Sequence, residues 1–347
     1  MLTVGQESSP LIKIKGGSAI RAVAFAANGE YLVSGGEDGV RVWRVKDGKQ
    51  MATVEVRAVC KCLAVSKDGR WIAAGTDYGE VIVWDANTHE KVISHKVDDY
   101  HIYGVDFSPD STRLVAASHM GTAPIWDVAV RKRVRTLHDN NMVTAAKYSP
   151  QGDRIATATP FYVRVWDSND GRPLMDIRVT VTPLFNTGLL WFNNHLFIVS
   201  DSIIKQIEAS TGSAVSEWPV PGSNCSSCIA LPKHGKFIAY STQRTVTFWD
   251  TVTNTQLGLI RHPQHIDSII VSPDDYLLAI GGGWESIITI DSLSRITVSI
   301  FSRWIIVHMN SFLAPIIFPS DSISLSHIHP TFLEPDIRID NATLHSW

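Results

Sequence analysis

The chain has 347 residues, 44% of them hydrophobic, with a formal net charge of −3. That charge argues against the basic footprint of a nucleic-acid binder, and four cysteines in this length are too few for a disulfide scaffold. Length alone fits one large all-β domain or two ordinary ones. The first 17 residues show neither a basic leader nor a sustained apolar run, so no signal peptide is expected. The expected setting is cytoplasmic, with the nucleus as the other compartment.

In chain order, Leu11–Lys15 reads as a strand before Gly16-Gly17. Ala19–Phe25, Tyr31–Gly35 and Val40–Trp43 follow as short strands, separated by Asn28-Gly29 and Glu37-Asp38-Gly39 turns. Lys46-Asp47-Gly48 leads to a fourth strand near Gln50–Val54. The next unit is the clearest: Cys60–Val65, the Lys67-Asp68-Gly69 turn, Trp71–Gly75, the Asp77-Tyr78-Gly79 turn, then Glu80–Asp85. An isolated hairpin is marginal in water, so such a unit needs neighbours of its own kind.

Tyr103–Phe107, Arg113–Ala117 and Ala123–Trp126 repeat the scheme. Pro124 removes a ladder donor inside the third of these, which predicts local distortion. Ala145–Tyr148, Arg154–Ala158 and Tyr162–Trp166 repeat it again. A fifth unit is degenerate, since residues 179–195 lack a Ser-Pro-Asp-Gly type turn, yet Leu196–Ser200 and Ile203–Ile207 keep the spacing. Cys228–Leu231, Phe237–Tyr240 and Val246–Trp249 make a sixth unit. Ile266–Val271, Tyr276–Ile280 and Ser286–Asp291 make a seventh.

Matched positions fall at Trp43, Trp84, Trp126, Trp166, Ile207, Trp249 and Ile290, at intervals of 41, 42, 40, 41, 42 and 41 residues. Four are literal Trp-Asp pairs: Trp84-Asp85, Trp126-Asp127, Trp166-Asp167 and Trp249-Asp250. In period and dipeptide the chain resembles the WD40-repeat family, whose repeats build four-stranded propeller blades. The resemblance implies an all-β, seven-bladed β-propeller over residues 11–293. In that family the repeat begins with the outer strand of the previous blade, so Leu11–Lys15 is expected to cross over and close blade 7, removing an exposed edge.

Composition changes after Leu293. Residues 294–347 contain no Gly and no Lys, while Ile and Ser supply 10 and 9 of those 54 positions. Trp304–Ser320 carries no formal charge, but His308, Asn310, Pro315 and Pro319 argue against a membrane span. The reading is an atypical, poorly ordered C-terminal tail. Its start, Ser292–Ile300, could itself be an outer strand competing with Leu11–Lys15.

The resemblance also implies a buried network of His, Ser or Thr, Asp and Trp. Its partial matches are His262, four residues before Ile266, and Ser34, Thr76, Ser118, Thr159 and Ser241, with Asp38 and Asp77 in turns. No blade has the full set, and its role is structural: satisfying buried polar demand. Cys60-Lys61-Cys62 and Cys225-Ser226-Ser227-Cys228 fall on nearly opposite blades and read as small core residues rather than a metal site. The usual hydrolase, nucleotide-loop and zinc-protease motifs do not occur. No catalytic residue, cofactor or metal is expected.

The leading expectation is a non-enzymatic scaffold for protein or peptide partners, with no nucleic acid and no membrane involved. The alternative is a small-molecule or hydrolytic site in the central channel, where Asp106 is the notable charged residue on strands otherwise rich in Val, Ala, Cys, Tyr and Leu. In a propeller, the loop before each inner strand and the second-to-third strand turn open on one face. Reading those places gives Arg57, Tyr78, Tyr100, Met120, Asn141, Phe161, Tyr162, Phe185, Arg244, Trp284 and Glu285 as candidate partner-binding residues.

Overall fold

The computed structural model describes residues 10–293, apart from 55, 180–187, 201–202, 221–227 and 284–285. The tail at 294–347 and the competing strand expected to begin at Ser292 thus lie largely outside the described residues. What is described is all-β: seven four-stranded antiparallel sheets arranged as a seven-bladed propeller. Inner strands run Ile20–Phe25, Cys60–Val65, Ile102–Phe107, Ala145–Tyr148, Leu189–Phe192, Ile229–Ala230 and Ile266–Val271. Each lies beside the inner strands of the two flanking blades, and the seventh lies beside the first.

Six blades take their four strands consecutively. Blade 7 takes its outer strand, Ile12–Lys15, from the start of the chain, pairing Ile12 with Ile290 and Lys15 with Ile287. Ile14 from this strand is 3% exposed and packs in one cluster with Ile20, Trp43 and Ile290. The joint between chain start and blade 7 is therefore both a ladder and a piece of core.

A shared local device sets the outer half of each blade. In blades 1 to 6 the third and outer strands slip register immediately before the Trp43-type position. Five residues on, the chain turns through a positive φ at Gly48, His89, Arg131, Gly171, Gly212 and Asn254. The Asp after Trp caps that turn: Asp85 accepts from Asn87 and Thr88 N–H at 2.9 and 3.0 Å, and Asp250 from Val252 and Thr253 at 2.8 and 2.7 Å. Asp127 and Asp167 do the same for Val130 and Asn169. A short carboxylate acceptor at a turn start is ordinary Asx chemistry.

Blade 3 continues through Pro124, which pairs with Thr136. Toward the outer strand the only slip falls at Trp126, as in the other five of blades 1 to 6. Toward the second strand the expected distortion is present. That ladder stops at Val115 and Ile125, one residue short of Pro124, after three pairs where the corresponding ladders of the other blades run for five or six. Blade 5 is a complete blade. Its inner strand, Leu189–Phe192, turns at once through Asn193 (φ 51°) into His195–Ser200, a two-residue connection unlike the Ser-Pro-Asp turns elsewhere. Asn tolerates the left-handed region, which suits it to that place.

The core lies between blades rather than within them. Each cluster joins facing sides of two neighbours, as where Trp71 and Val83 of blade 2 meet Phe107 and Val128 of blade 3.

Candidate functional site

Antiparallel alternation settles which loops share a face. Inner strands start, second strands end and outer strands end at the same end of the propeller, here called the upper face. It carries a continuous belt over blades 2 to 4. The Gly79 carbonyl accepts from Val97 N–H at 2.8 Å, and Gly121 accepts from Asp139 N–H at 2.7 Å. Phe161 accepts from Val179 N–H at 3.1 Å. Each second-to-third turn thus leans on the strand leaving for the next blade. Gly79 sits at φ 72°, and a Cβ there would lie 2.3 Å from the Asp98 carbonyl oxygen. Only glycine allows that approach.

Four large side chains stand out from this belt: Tyr78 at 63% exposed, Tyr100 at 52%, Met120 at 57% and Phe161 at 62%. Tyr100 stacks on His119 with ring centroids 5.1 Å apart, and His119 Nδ1 lies 2.9 Å from the Tyr103 hydroxyl. Beneath them, Ser118 donates to Asp98, whose carboxylate also accepts from Tyr100 N–H at 2.7 Å. Tyr162 donates to Asp139, whose side chain is 1% exposed and lies 3.7 Å from Arg164. Arg164 is held in turn by a bidentate pair to Asp176 at 2.5 and 2.7 Å. The aromatics stand on loops tied down by carboxylates.

Of the expected face residues, Arg57, Tyr78, Tyr100, Met120 and Phe161 are exposed on this belt, with Asn141 and Tyr162 half-buried in it. Arg244 is exposed on blade 6, away from the others. Phe185, Trp284 and Glu285 lie outside the described residues. Asp98, His119 and Asp139 were missed by sequence reading. Their only signal is a polar residue in the loop flanking each exposed aromatic.

A cavity of about 140 Å³ in the central channel is lined among others by Arg21, Lys61, Tyr103, Lys147 and Ser268. Inner strands bulge at Arg21, Lys61, Tyr103 and Asp267, a device that re-aims side chains. Asp106 accepts from Lys147 Nζ and from Tyr148 N–H, each at 2.9 Å, bridging blades 3 and 4. Asp267 lies 3.3 Å from Arg21 and 3.2 Å from His265. These carboxylates are tied into inter-blade pairs.

The buried network differs from the expected one. Trp43 Nε1 donates to Ser34 Oγ at 2.7 Å, but Trp166 donates to Thr157 at 2.8 Å rather than to Thr159. Thr76, Ser118, Thr159 and Ser241 instead serve the upper loops, as in Glu80 N–H to Thr76 at 3.0 Å. The true hydroxyl position is nine residues before Trp, where blades 2, 3 and 6 carry Gly75, Ala117 and Tyr240. His262 is 5% exposed, with Nδ1 beside the Gln264 backbone at 3.1 Å and Nε2 without a hydrogen-bond partner. Burial pushes its pKa down.

Cys60 and Cys62 are buried on the inner strand of blade 2, and burial raises the Cys62 and Cys228 thiols to about 12. Such thiols stay protonated and unreactive at neutral pH. Cys225 lies outside the described residues. Among the described residues, no group of three or more His, Cys, Asp or Glu side chains could hold a metal ion. No described helix is long and apolar enough to cross a membrane.

Comparison with known proteins agrees with this architecture. The family model "WD domain, G-beta repeat" matches residues 8–44, 48–85, 89–127 and 131–167. Each match opens on an outer strand and closes on the third strand of the next blade, the first opening around Ile12–Lys15. WD repeat-containing protein 1 of Xenopus tropicalis is 41% identical over 124 residues, 34% of this chain and 20% of that protein. Periodic tryptophan protein 2 of Arabidopsis thaliana is 29% identical over 160 residues, 44% of this chain and 18% of that protein. The chain spans about a fifth of the length of these two relatives. The guanine nucleotide-binding protein subunit beta of Schizosaccharomyces pombe is 20% identical over 277 residues, 66% of this chain and 90% of that one. Residues 8–167 thus carry four WD repeats of this family, set within a ring of seven propeller blades.

Proposed function

We propose that this chain is a non-enzymatic interaction scaffold that holds a protein or peptide segment against the upper face of blades 2 to 4. The observation that carries the reading is the belt itself. Tyr78, Tyr100, Met120 and Phe161 are all more than half exposed on adjoining loops of one face. Aromatic side chains on rigid supports contribute most to binding energy, and here the supports are the Asp98 and Asp139 bonds. The name of the fission yeast relative, a subunit, fits a role within an assembly.

The test is capture of partners by the full chain. Tyr78→Ala/Tyr100→Ala/Phe161→Ala should lose the proteins that the unsubstituted chain retains, with the melting temperature held. Tyr276→Ala, 66% exposed on a lower-face turn, should retain them. Equal retention by the triple variant, or equal loss with Tyr276→Ala, would remove the assignment of the face.

A further inference from the structure

A cavity of about 690 Å³ opens at the lower end of the cleft between blades 1 and 2. Its origin is a local shortage of side-chain volume. In the next cleft, between blades 2 and 3, the same places are filled by Trp71, Phe107 and Val128, at 7%, 7% and 1% exposed. The ladder positions are equivalent, because Trp71 and Tyr31 both pair with the residue after the blade tryptophan. Likewise Val65 pairs with Ile72 as Phe107 pairs with Leu114. Blades 1 and 2 thus supply Tyr31, Val65 and Ala86 where blades 2 and 3 supply Trp, Phe and Val. All three smaller residues line the cavity.

Other clefts are closed at this height by different means. Phe25 and Val45, 6% and 7% exposed, close the cleft between blades 7 and 1. Arg113 and Arg154 reach across the clefts between blades 3 and 4 and between blades 4 and 5 to the Ser168 and Ala209 carbonyl oxygens, at 3.1 and 3.3 Å. Between blades 1 and 2 neither device is present.

The cavity walls are Val33, Val42 and Ile72, from the facing sheets. Polar groups stand on its border: Asn28, Asn87 and His89 beside Asp68 and Arg70. The Asp68 carboxylate is engaged with Ser66 Oγ at 2.6 Å and Arg70 N–H at 3.0 Å, while the Arg70 guanidinium lies 4.5 Å from the Trp71 ring centroid. One anion and one cation leave no net attraction for a charged ligand. Size falls in the range of about 300–1,000 Å³ typical of small-molecule sites, which are mostly apolar with a few placed polar groups.

We propose that the lower end of the cleft between blades 1 and 2 is a binding site for an uncharged, mainly apolar small molecule with a hydrogen-bonding end. Its apolar body lies between the two sheets, and its polar end meets Asn28, Asn87 and His89. The site is separate from the upper face and does not depend on partner binding there.

The full chain would be titrated with N-phenyl-1-naphthylamine, an uncharged probe that brightens in apolar surroundings. Saturable one-to-one binding is expected, at least tenfold weaker in Val65→Phe, which gives this cleft the side chain of its neighbour. Ala86→Val should weaken binding by less, and it carries the test if Val65→Phe fails to fold. Tyr78→Ala/Tyr100→Ala/Phe161→Ala should bind the probe as the unsubstituted chain does. The sulfonated analogue, 8-anilinonaphthalene-1-sulfonate, should bind more weakly than the neutral probe. Absence of saturation, full binding by both filled variants, loss in the upper-face variant, or preference for the sulfonate would each overturn the proposal.

Discussion

Blades 1 and 4 place a hydroxyl beside the tryptophan indole, whereas in blades 3 and 6 the buried Nε1 atoms of Trp126 and Trp249 lack any hydrogen-bond partner. Both pairs of blades nevertheless share the register slip and the positive-φ turn that follows. Blade 5 keeps them with Ile207 in the tryptophan place, 2% exposed. The geometry of the repeat therefore depends on a bulky apolar group at that position and on the turn beyond it. The indole hydrogen bond is an addition that some blades have.

Blade 7 is the far end of this comparison, and should give the largest effect. It has Ile290 for the indole, and the strand facing Ile290 comes from the other end of the chain. Removing residues 1–15 leaves that blade with an open edge and takes Ile14 from the core. Loss of a single cooperative thermal transition is expected, with aggregation through the bared strand. A truncated chain that melts like the intact one would show that closure contributes little.

A smaller effect separates the two kinds of tryptophan. Trp43→Phe and Trp126→Phe remove similar buried bulk, but only the first orphans a buried hydroxyl, Ser34 Oγ. An unsatisfied buried group costs about 1–3 kcal/mol, so Trp43→Phe should be the more destabilising by about that margin in denaturant unfolding. Adding Ser34→Ala to Trp43→Phe should recover part of the difference. Equal losses would mean that the Trp43 bond adds nothing net.

The converse change should be milder still. Ala117 holds the place, nine residues before Trp126, that Ser34 and Thr157 hold in their blades. Ala117→Ser offers Trp126 the acceptor it lacks and should stabilise by about 0.5–1.5 kcal/mol. Gly75→Ser is the matching change in blade 2, but a Cβ there would sit 2.4 Å from Ile102 Cγ2 and 2.7 Å from Cys62 Sγ. It should destabilise through overpacking. Destabilisation by both substitutions would show that space governs this position, and stabilisation by both that the bond does.

Much of this architecture was legible because the spacing of Trp43-type positions survives even where Ile replaces Trp. Blade 5's inner strand was not, since Leu189–Phe192 is followed by a bare Asn193-Asn194 connection in place of Ser-Pro-Asp. Thr157 and Thr159 lie two residues apart on one strand and its turn, and sequence alone does not say which hydroxyl lies against the Trp166 indole. On the upper face, turn positions pointed to Tyr78, Tyr100, Met120 and Phe161. Asp98 and Asp139 acquire their roles only when loops some twenty residues apart fold onto one another, as in Ser118 to Asp98 and Tyr162 to Asp139. The cavity between blades 1 and 2 was equally hidden. Tyr31, Val65 and Ala86 are unremarkable singly, and become a void only by facing one another.

The smallest effect should be a pH dependence at His262, where blade 7 has the imidazole of the expected network without the rest of it. Burial lowers its pKa in the folded chain, although the Gln264 carbonyl works the other way. Unfolded, the imidazole has its ordinary value of about 6.5. Between the folded and unfolded values the unfolded chain binds more protons, so stability rises with pH across that window. The contribution is fully present above about pH 6.5 and is lost as pH falls toward the folded value. His234 is also lowered by burial and adds a slope of the same sign. The melting temperature should therefore drop between about pH 7.5 and about pH 5.5, and His262→Gln should drop less over the same interval. Comparing slopes, not absolute temperatures, separates proton linkage from any packing loss against Gly282, whose Cβ place lies 2.6 Å from His262 Cε1. If the variant and the unsubstituted chain lose stability in parallel, His262 is already paired to a proton acceptor in solution and blade 7 is more complete than its side chains suggest.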